Sequence, residues 1–387
     1  MTGPAFAAVC QKNMSFERWL DGVKQEAASQ GISQSVIASA LPEMVFDPAI
    51  VRRDRGQGVF QQSFLQFSDR MAANFRVQGG AAQIAKYRDL FSRIEKQYGV
   101  PAPVLAAFWG LESDFGSNNG KFPILRAVTT LAYDCRRPDF FRTQLIDALR
   151  IIQRGDLRAQ DMIGDWAGEL SAMQFTPSDY YKYAVDYDGD GRRDLIHSVP
   201  DTLASAANFL ANLGWQRGQP WLQEVRVPDN LPWDQADLEI QHPRSQWVAW
   251  GVAAAQGNLP ADNLPASLLL PMGHFGPAFL AYPSFKAFLG WNAAMVYSTT
   301  AAYLATRIAG APAVGRGRGV GGVPVLSAQQ IADMQRLLAA QHFGGGEADG
   351  KLGSATRAAV KKAQMKFGLP ADSYPTAGLI EHLRAGR

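Results

Sequence analysis

One glutamate stands where an acid catalyst could be made. In VPAPVLAAFWGLESDFGSNNG the apolar spacing predicts a helix beginning near Pro101, carrying Val104, Leu105, Phe108 and Leu111 on one stripe and stopping at Gly116. Glu112 falls in the last turn, where the negative end of the helix dipole and the apolar neighbours Phe108 and Trp109 both disfavour the ionised carboxylate. A carboxyl kept protonated near neutral pH is a general acid. Taken alone, the helix fits equally well with a glutamate that merely solvates its end. Asp114, two residues on, points to another side, so the two do not form a glycosidase pair on one face, and a second acid has to come from elsewhere.

The other chemical pattern is DYDGDGRRDLIH. It places Asp186, Asp188 and Asp190 at positions 1, 3 and 5 of a twelve-residue loop, with Gly191 at 6, Arg192 at 7 and Asp194 at 9. Alternate carboxylates then point at one centre and the glycine permits the sharp turn, as at the start of a calcium-binding EF-hand loop. Acids this crowded repel one another unless a cation or good solvation relieves them. Arg192 would offer only its backbone carbonyl, and position 12 is His197 where a bidentate glutamate is usual. A structural calcium is expected, a solvated Asp-Gly turn being the alternative. The two cysteines, Cys10 and Cys135, exclude CxxC clusters and leave room for one disulfide or two buried thiols. The histidines of QHP and MGHFG lack a second ligand at helical spacing and read as structural.

Amphipathic helical segments must position these residues. From 15 to 308 they dominate, as in FERWLDGVKQEAASQG, AAQIAKYRDLFSRIEKQYG and DTLASAANFLANLGW, each closed by or near glycine. Between 216 and 275 the periodicity weakens, and QEVRVP, DLEI and SQWVAWGV read as short strands or irregular connections of a small mixed insertion. AGAPAVGRGRGVGGVP, 309–324, reads as a flexible linker, and 325–387 as a three-helix module near the size limit for independent folding. The fold class expected is therefore mainly α. With 38 Lys+Arg against 35 Asp+Glu the net charge of +3 gives no sign of a nucleic-acid binder. No apolar run reaches the roughly 18 residues of a membrane span, and MTGPAFAAVC is too short for a secretory signal.

FWGLESDFG, TLAYDCRR, WAGELSAMQFTPSDYYKYAVDYDGDGRRDL and WNAAMVYSTTAAYLATRIAG occur in this order. With them the chain resembles the lytic murein transglycosylase B family over nearly all of 15–308. The resemblance implies a lysozyme-like catalytic domain that cuts peptidoglycan glycan strands non-hydrolytically between N-acetylmuramic acid and N-acetylglucosamine, leaving 1,6-anhydromuramyl ends. It makes Glu112 the single catalytic acid and base, and Ser113, Tyr133, Gln174, Phe175, Asn292 and Tyr297 the lining of the sugar groove. It also allows a longer acidic loop in which Asp201 supplies missing oxygens, giving a calcium set of Asp186, Asp188, Asp190, Arg192, Asp194 and Asp201. Two departures stand out: GELSAM replaces a GAMG-like run, bringing Glu169 and Met173 near the groove, and Ala293 and Ala294 follow Asn292 where relatives often carry polar residues.

ADGKLGSATRAAVKKAQMKFGLPADSYPT is similar to the peptidoglycan-binding type 1 domain, with Asp349, Gly350, Gly353, Thr356, Ala359, Gln364, Gly368 and Leu369 in order. Such a module would tether the enzyme and raise the local substrate concentration. The expected partner is therefore peptidoglycan, with no organic cofactor, and the expected location the periplasm, as a soluble rather than lipid-anchored protein. A muramidase that activates water with Glu169 or Asp114, and a non-catalytic wall-binding protein, are the competing readings.

Overall fold

In the computed structural model, residues 14–56, 62–318 and 325–386 are described. They form two compact units, one built from 14–56 and 82–209, the other from 62–81 together with 210 onward.

The first unit is helical, and its side chains start the helices where the sequence places polar caps. Ser15 accepts from the Arg18 N–H, Ser33 from Val36, Asp47 from Ala49 and Thr176 from Asp179. Gly99 and Gly155 close two helices in the left-handed conformation that glycine adopts without strain. At the centre lies Ala102–Ser113, in which every residue from Val104 to Leu111 is buried. The single apolar stripe expected from sequence is thus corrected to a helix enclosed on all sides, because APVLAAFWGL offers no polar side chain to face water. The helix also ends at Ser113, three residues before the expected stop. Helix Ile124–Tyr133 packs on Pro138–Arg154, which packs in turn on Pro177–Tyr183. A short antiparallel pair joins Phe122–Pro123 to Ile163–Gly164.

The second unit contains an antiparallel sheet with strand order His242–Pro243, Pro265–Leu269, Ala278–Ala281, Leu222–Arg226, Ala253–Ala254. QEVR is a strand as its pattern suggests, but DLEI is not, and SQWVAWGV forms the short helix Arg244–Ala249 instead. Tertiary packing decides the latter: Trp247 is fully buried and donates from its indole to the Ala266 carbonyl at 2.9 Å. The strand Ala278–Ala281 lies beyond the 275 limit read from the sequence, and its fully buried AFLA gives no period-2 alternation to find.

The C-terminal module consists of helices Ala328–Ala340, Ser354–Lys366 and Ala377–Ala385 around a core of Met334, Leu338, Val360, Ala363, Leu379 and Leu383. It is bonded to the sheet region. The half-buried Arg357 donates from its guanidinium to the Pro271 carbonyl at 2.9 Å, Lys361 reaches Asp237 at 2.9 Å, and Asp372 meets the His274 ring at 2.5 Å. Within the segment read as a linker, Gly315 donates to Glu224, Arg316 pairs with Asp69 and Arg318 with Asp229. Residues 319–324 and Cys10, with the disulfide considered for it, lie outside the described residues. No helix among the described residues is long and apolar enough to cross a membrane.

Candidate functional site

The buried helix Ala102–Ser113 delivers Glu112, which is partly buried, to its C-terminal turn. Beyond it the chain turns sharply: Asp114, Phe115 and Gly116 take φ of 48°, 62° and 86°, and the Phe115 N–H returns to the Trp109 carbonyl at 3.1 Å. Phe115 folds back over Gly110, where a Cβ would stand 2.9 Å from the Phe115 ring. That glycine is needed for close approach, not for flexibility.

Ser113 is buried and its hydroxyl is used inside the protein. It donates to the Ala172 carbonyl at 2.7 Å and accepts from the Gly116 N–H at 2.9 Å, so the residue after Glu112 is fastened to the 164–175 loop. The loop itself is tightly built. Asp165 accepts from the N–H groups of Ala167 and Glu169, and the Asp165 N–H donates to the Glu169 carbonyl at 2.9 Å. Leu170 and Phe175 exchange both backbone bonds at 2.7 Å, and Gly164 leaves a Cβ position only 2.0 Å from the Glu169 oxygen. Ser171 and Gln174 hold positive φ between them, and the Gln174 amide donates to the Ser171 carbonyl at 2.9 Å.

Glu169 is the most perturbed carboxyl of this region. Burial first, then the facing carboxylates of Asp165 and Glu112, push it well above the ordinary range, with the Arg137 cation acting against them. Asp165 is also raised, by burial, although its backbone bonds oppose the shift. Ser113, next to Glu112, is thus tied through Ala172 to the loop that carries Glu169 and Gln174. Sequence reasoning passed over Asp165 and Arg137; an Asp followed at i+3 by a glycine in DWAGE was the available turn signal for the first.

The remaining residues singled out for the groove are placed differently. Phe175 is buried against Phe209, ring centroids 5.8 Å apart. Tyr133 sits among Phe16, Trp19 and Phe46 and gives its hydroxyl proton to the Met14 carbonyl at 2.8 Å. In the second unit, Asn292 caps helix Phe285–Trp291 and its side-chain oxygen accepts from Ala294 at 2.9 Å, while Tyr297 is buried near the start of helix Met295–Ile308.

In the acidic loop, Asp186, Asp188 and Asp190 each bring an oxygen within 4.8 Å of the others. Asp186 takes the N–H groups of Gly189, Asp190 and Gly191, which shapes the turn around that centre. Asp194 and Asp201 do not join the cluster. Asp194 accepts from Ile196 and His197, and the buried Asp201 from Tyr187, Asp188 and Asp194. Arg192 lies 3.5 Å from Asp190 through its guanidinium.

Comparison with known proteins supplies the family. Residues 15–306 match the transglycosylase SLT domain, and 327–383 match a peptidoglycan binding domain. The chain is 30% identical over 241 residues to the membrane-bound lytic murein transglycosylase B of Escherichia coli K12, a match covering 61% of this chain and 64% of that protein. SltB3 from Pseudomonas aeruginosa, solved in complex with NAG-anhNAM-pentapeptide, is 40% identical, covers 96% of this chain and 100% of its own, and superposes with a TM-score of 0.88. The Escherichia coli lytic transglycosylase Slt35, solved in complex with calcium, is 25% identical with a TM-score of 0.64, covering 77% of this chain and 94% of its own. The chain belongs to the lytic transglycosylase B family, with a lysozyme-like SLT fold and a C-terminal peptidoglycan-binding domain.

Proposed function

We propose that this enzyme cleaves the β-1,4 bond between N-acetylmuramic acid and N-acetylglucosamine in peptidoglycan, without water, leaving 1,6-anhydromuramyl ends. The observation that carries this reading is the setting of Glu112: one carboxyl at the end of an enclosed helix, fastened through Ser113 to a strained loop. As acid it protonates the glycosidic oxygen while the C1–O bond breaks. As carboxylate it then removes the proton from the C6 hydroxyl as that oxygen bonds to C1. Substrate and Glu112 thereby return every proton, and no enzyme nucleophile is consumed. SltB3, solved with an anhydromuropeptide, supports the product assignment by kinship. Gln174 is assigned to the sugar's acetamido and hydroxyl groups.

Calcium is assigned to Asp186, Asp188 and Asp190 with the Arg192 carbonyl. The three converging carboxylates fit a hard cation, and Slt35 was solved with calcium. Its role is to hold the loop. Placement in the periplasm follows from the substrate.

The partly buried carboxyl of Glu169, which burial and the charges of Asp165 and Glu112 push up, favours one second reading, hydrolysis of the same bond with Glu169 activating water. Mass spectrometry of muropeptides released from purified peptidoglycan by the intact protein and by Glu112→Gln separates them. Anhydromuramyl products from the first and none from the second are expected; reducing ends would make the enzyme a hydrolase.

A further inference from the structure

The strand Leu222–Arg226 carries a carboxyl beside buried aromatic rings. Glu224 stands opposite Phe279 of strand Ala278–Ala281, so the two side chains leave the sheet on the same face. The packing around them is aromatic: Phe279 meets Phe64 with ring centroids 5.6 Å apart, and Phe64 meets Tyr303 at 6.0 Å. An acid among such neighbours is more telling than the apolar residues around it. Glu224 is half-buried, and burial pushes its carboxyl above the ordinary range against the opposing bond from Gly315. One of its oxygens accepts that Gly315 N–H at 2.8 Å, and the other has no partner among the described residues.

Glu224 lines a cavity of about 420 Å³ that lies wholly within the second unit, together with Trp221, Phe279, Tyr303 and Thr306. Its size is that of small-molecule sites, about 300–1,000 Å³. The turn 255–257 and the chain at 309–312 complete the lining, and both are fixed by hydrogen bonds. The Ala255 N–H donates to the Glu224 carbonyl at 3.0 Å, and the Gln223 amide braces the same turn on the Asn258 carbonyl at 3.2 Å. The Ala311 N–H donates to the Thr306 carbonyl at 2.9 Å and the Val314 N–H to the Tyr303 hydroxyl at 3.1 Å. Trp221 is half-buried and pinned by its indole N–H on the Ala302 carbonyl at 3.0 Å, so the ring offers a fixed surface.

Among the described residues, no Lys, Arg or His lines this cavity. A carboxylate without a cation repels anions and accepts from hydroxyl and amide N–H donors, and an aromatic surface covers the apolar face of a sugar ring. Within peptidoglycan these demands select the neutral N-acetylglucosamine ring over the peptide stems, which carry carboxylates. We propose that the cavity is a second glycan site, which holds an N-acetylglucosamine residue on Trp221 and Glu224. This rests on peptidoglycan as the polymer bound, and not on how Glu112 cuts it.

The experiment is amide hydrogen exchange, read by mass spectrometry, on the full chain carrying Glu112→Gln so that nothing is turned over. The probes are tri-N-acetylchitotriose and, separately, a free peptide stem. Chitotriose is expected to protect 253–258 and 309–315, and the stem to leave both unchanged. Adding Glu224→Gln, which can still accept from Gly315 but lacks the charge, is expected to weaken that protection by about tenfold in chitotriose concentration, the worth of one charge-assisted hydrogen bond. Adding Ala311→Trp, which places an indole on an exposed residue of the lining, is expected to abolish it. Protection confined to the turn after Glu112, protection by the stem instead of chitotriose, or a chitotriose response untouched by either folded variant overturns the proposal. Failure of the cleavage reading shows elsewhere, as reducing-end products from the intact protein.

Discussion

Replacing Ser113 with alanine removes one oxygen from the point where helix Ala102–Ser113 meets the 164–175 loop. Ser113 is 2% exposed, and its hydroxyl gives one bond at 2.7 Å to Ala172 and takes one at 2.9 Å from Gly116. Losing both bonds costs about 1 kcal/mol each, and leaving the Ala172 carbonyl and Gly116 N–H without partners adds about 1 kcal/mol more where water cannot replace the hydroxyl. Alanine's better helix propensity returns about 0.5 kcal/mol. The net loss is about 2–3 kcal/mol, which lowers the unfolding transition of the first unit by about 4–12 °C. Calorimetry reads this directly, and kinetics on glycan strands should show kcat falling more than KM rises, because the loop carrying Gln174 and Glu169 loses its fastening. A transition within about 1 °C of the original, together with unchanged kcat, would refute the view that this hydroxyl holds the site together rather than binding sugar.

Two further outcomes follow from groups away from Glu112. Burial alone would raise the Asp372 carboxyl, but bonds from the His274 ring and N–H, the Tyr374 N–H and the Gln364 amide hold it below the ordinary carboxylate range. A carboxyl depressed on folding stabilises the protein above its unfolded value, about pH 4, and that contribution disappears as pH falls through the lower folded value. Amide exchange of the 270–276 turn should therefore accelerate only below about pH 4, whereas Asp372→Asn should accelerate it at neutral pH, and equal protection in the two proteins would count against the bond network. For the acidic loop, calcium at 100 times its dissociation constant is expected to add about 2.7 kcal/mol to the stability of the intact protein. Chelation should remove that gain and Asp188→Asn should blunt it, while a melting curve indifferent to calcium would leave the three aspartates as a solvated turn.

The helical character, the three-helix tail and the position of Glu112 were legible because each is a local signal: caps, glycine stops and apolar spacing. Enclosure of the Ala102–Ser113 helix was written in its lack of polar residues, yet that pattern does not say which neighbours cover it. The short helix Arg244–Ala249 was not legible, since its place depends on Trp247 reaching Ala266 across the sheet. At the candidate site, residue types named the 164–175 loop but not what each side chain would touch. Ser113, Tyr133 and Phe175 have the chemistry of sugar contacts, and the fold uses Ser113 as a fastener, Tyr133 in an aromatic cluster and Phe175 in the core. Asp194 matches a calcium loop by spacing and the resemblance offered Asp201, but the converging oxygens are those of Asp186, Asp188 and Asp190.

The distribution of backbone strain argues that the region around Glu112 is pre-set rather than assembled on binding. Among the described residues, six non-glycine positions have positive φ, and four of them, Asp114, Phe115, Ser171 and Gln174, flank Glu112 or lie in the loop that Ser113 fastens. Each costs on the order of 1 kcal/mol or more and persists only where the surroundings over-determine it. Here the surroundings can be named: Trp109 and Gly110 carbonyls capture the turn after Glu112, and the Leu170–Phe175 pair closes the loop around Ser171 and Gln174. Strain held by so many fixed partners is not free to relax when substrate arrives. The turn after Glu112 and the 164–175 loop are therefore set by the folding of the first unit itself.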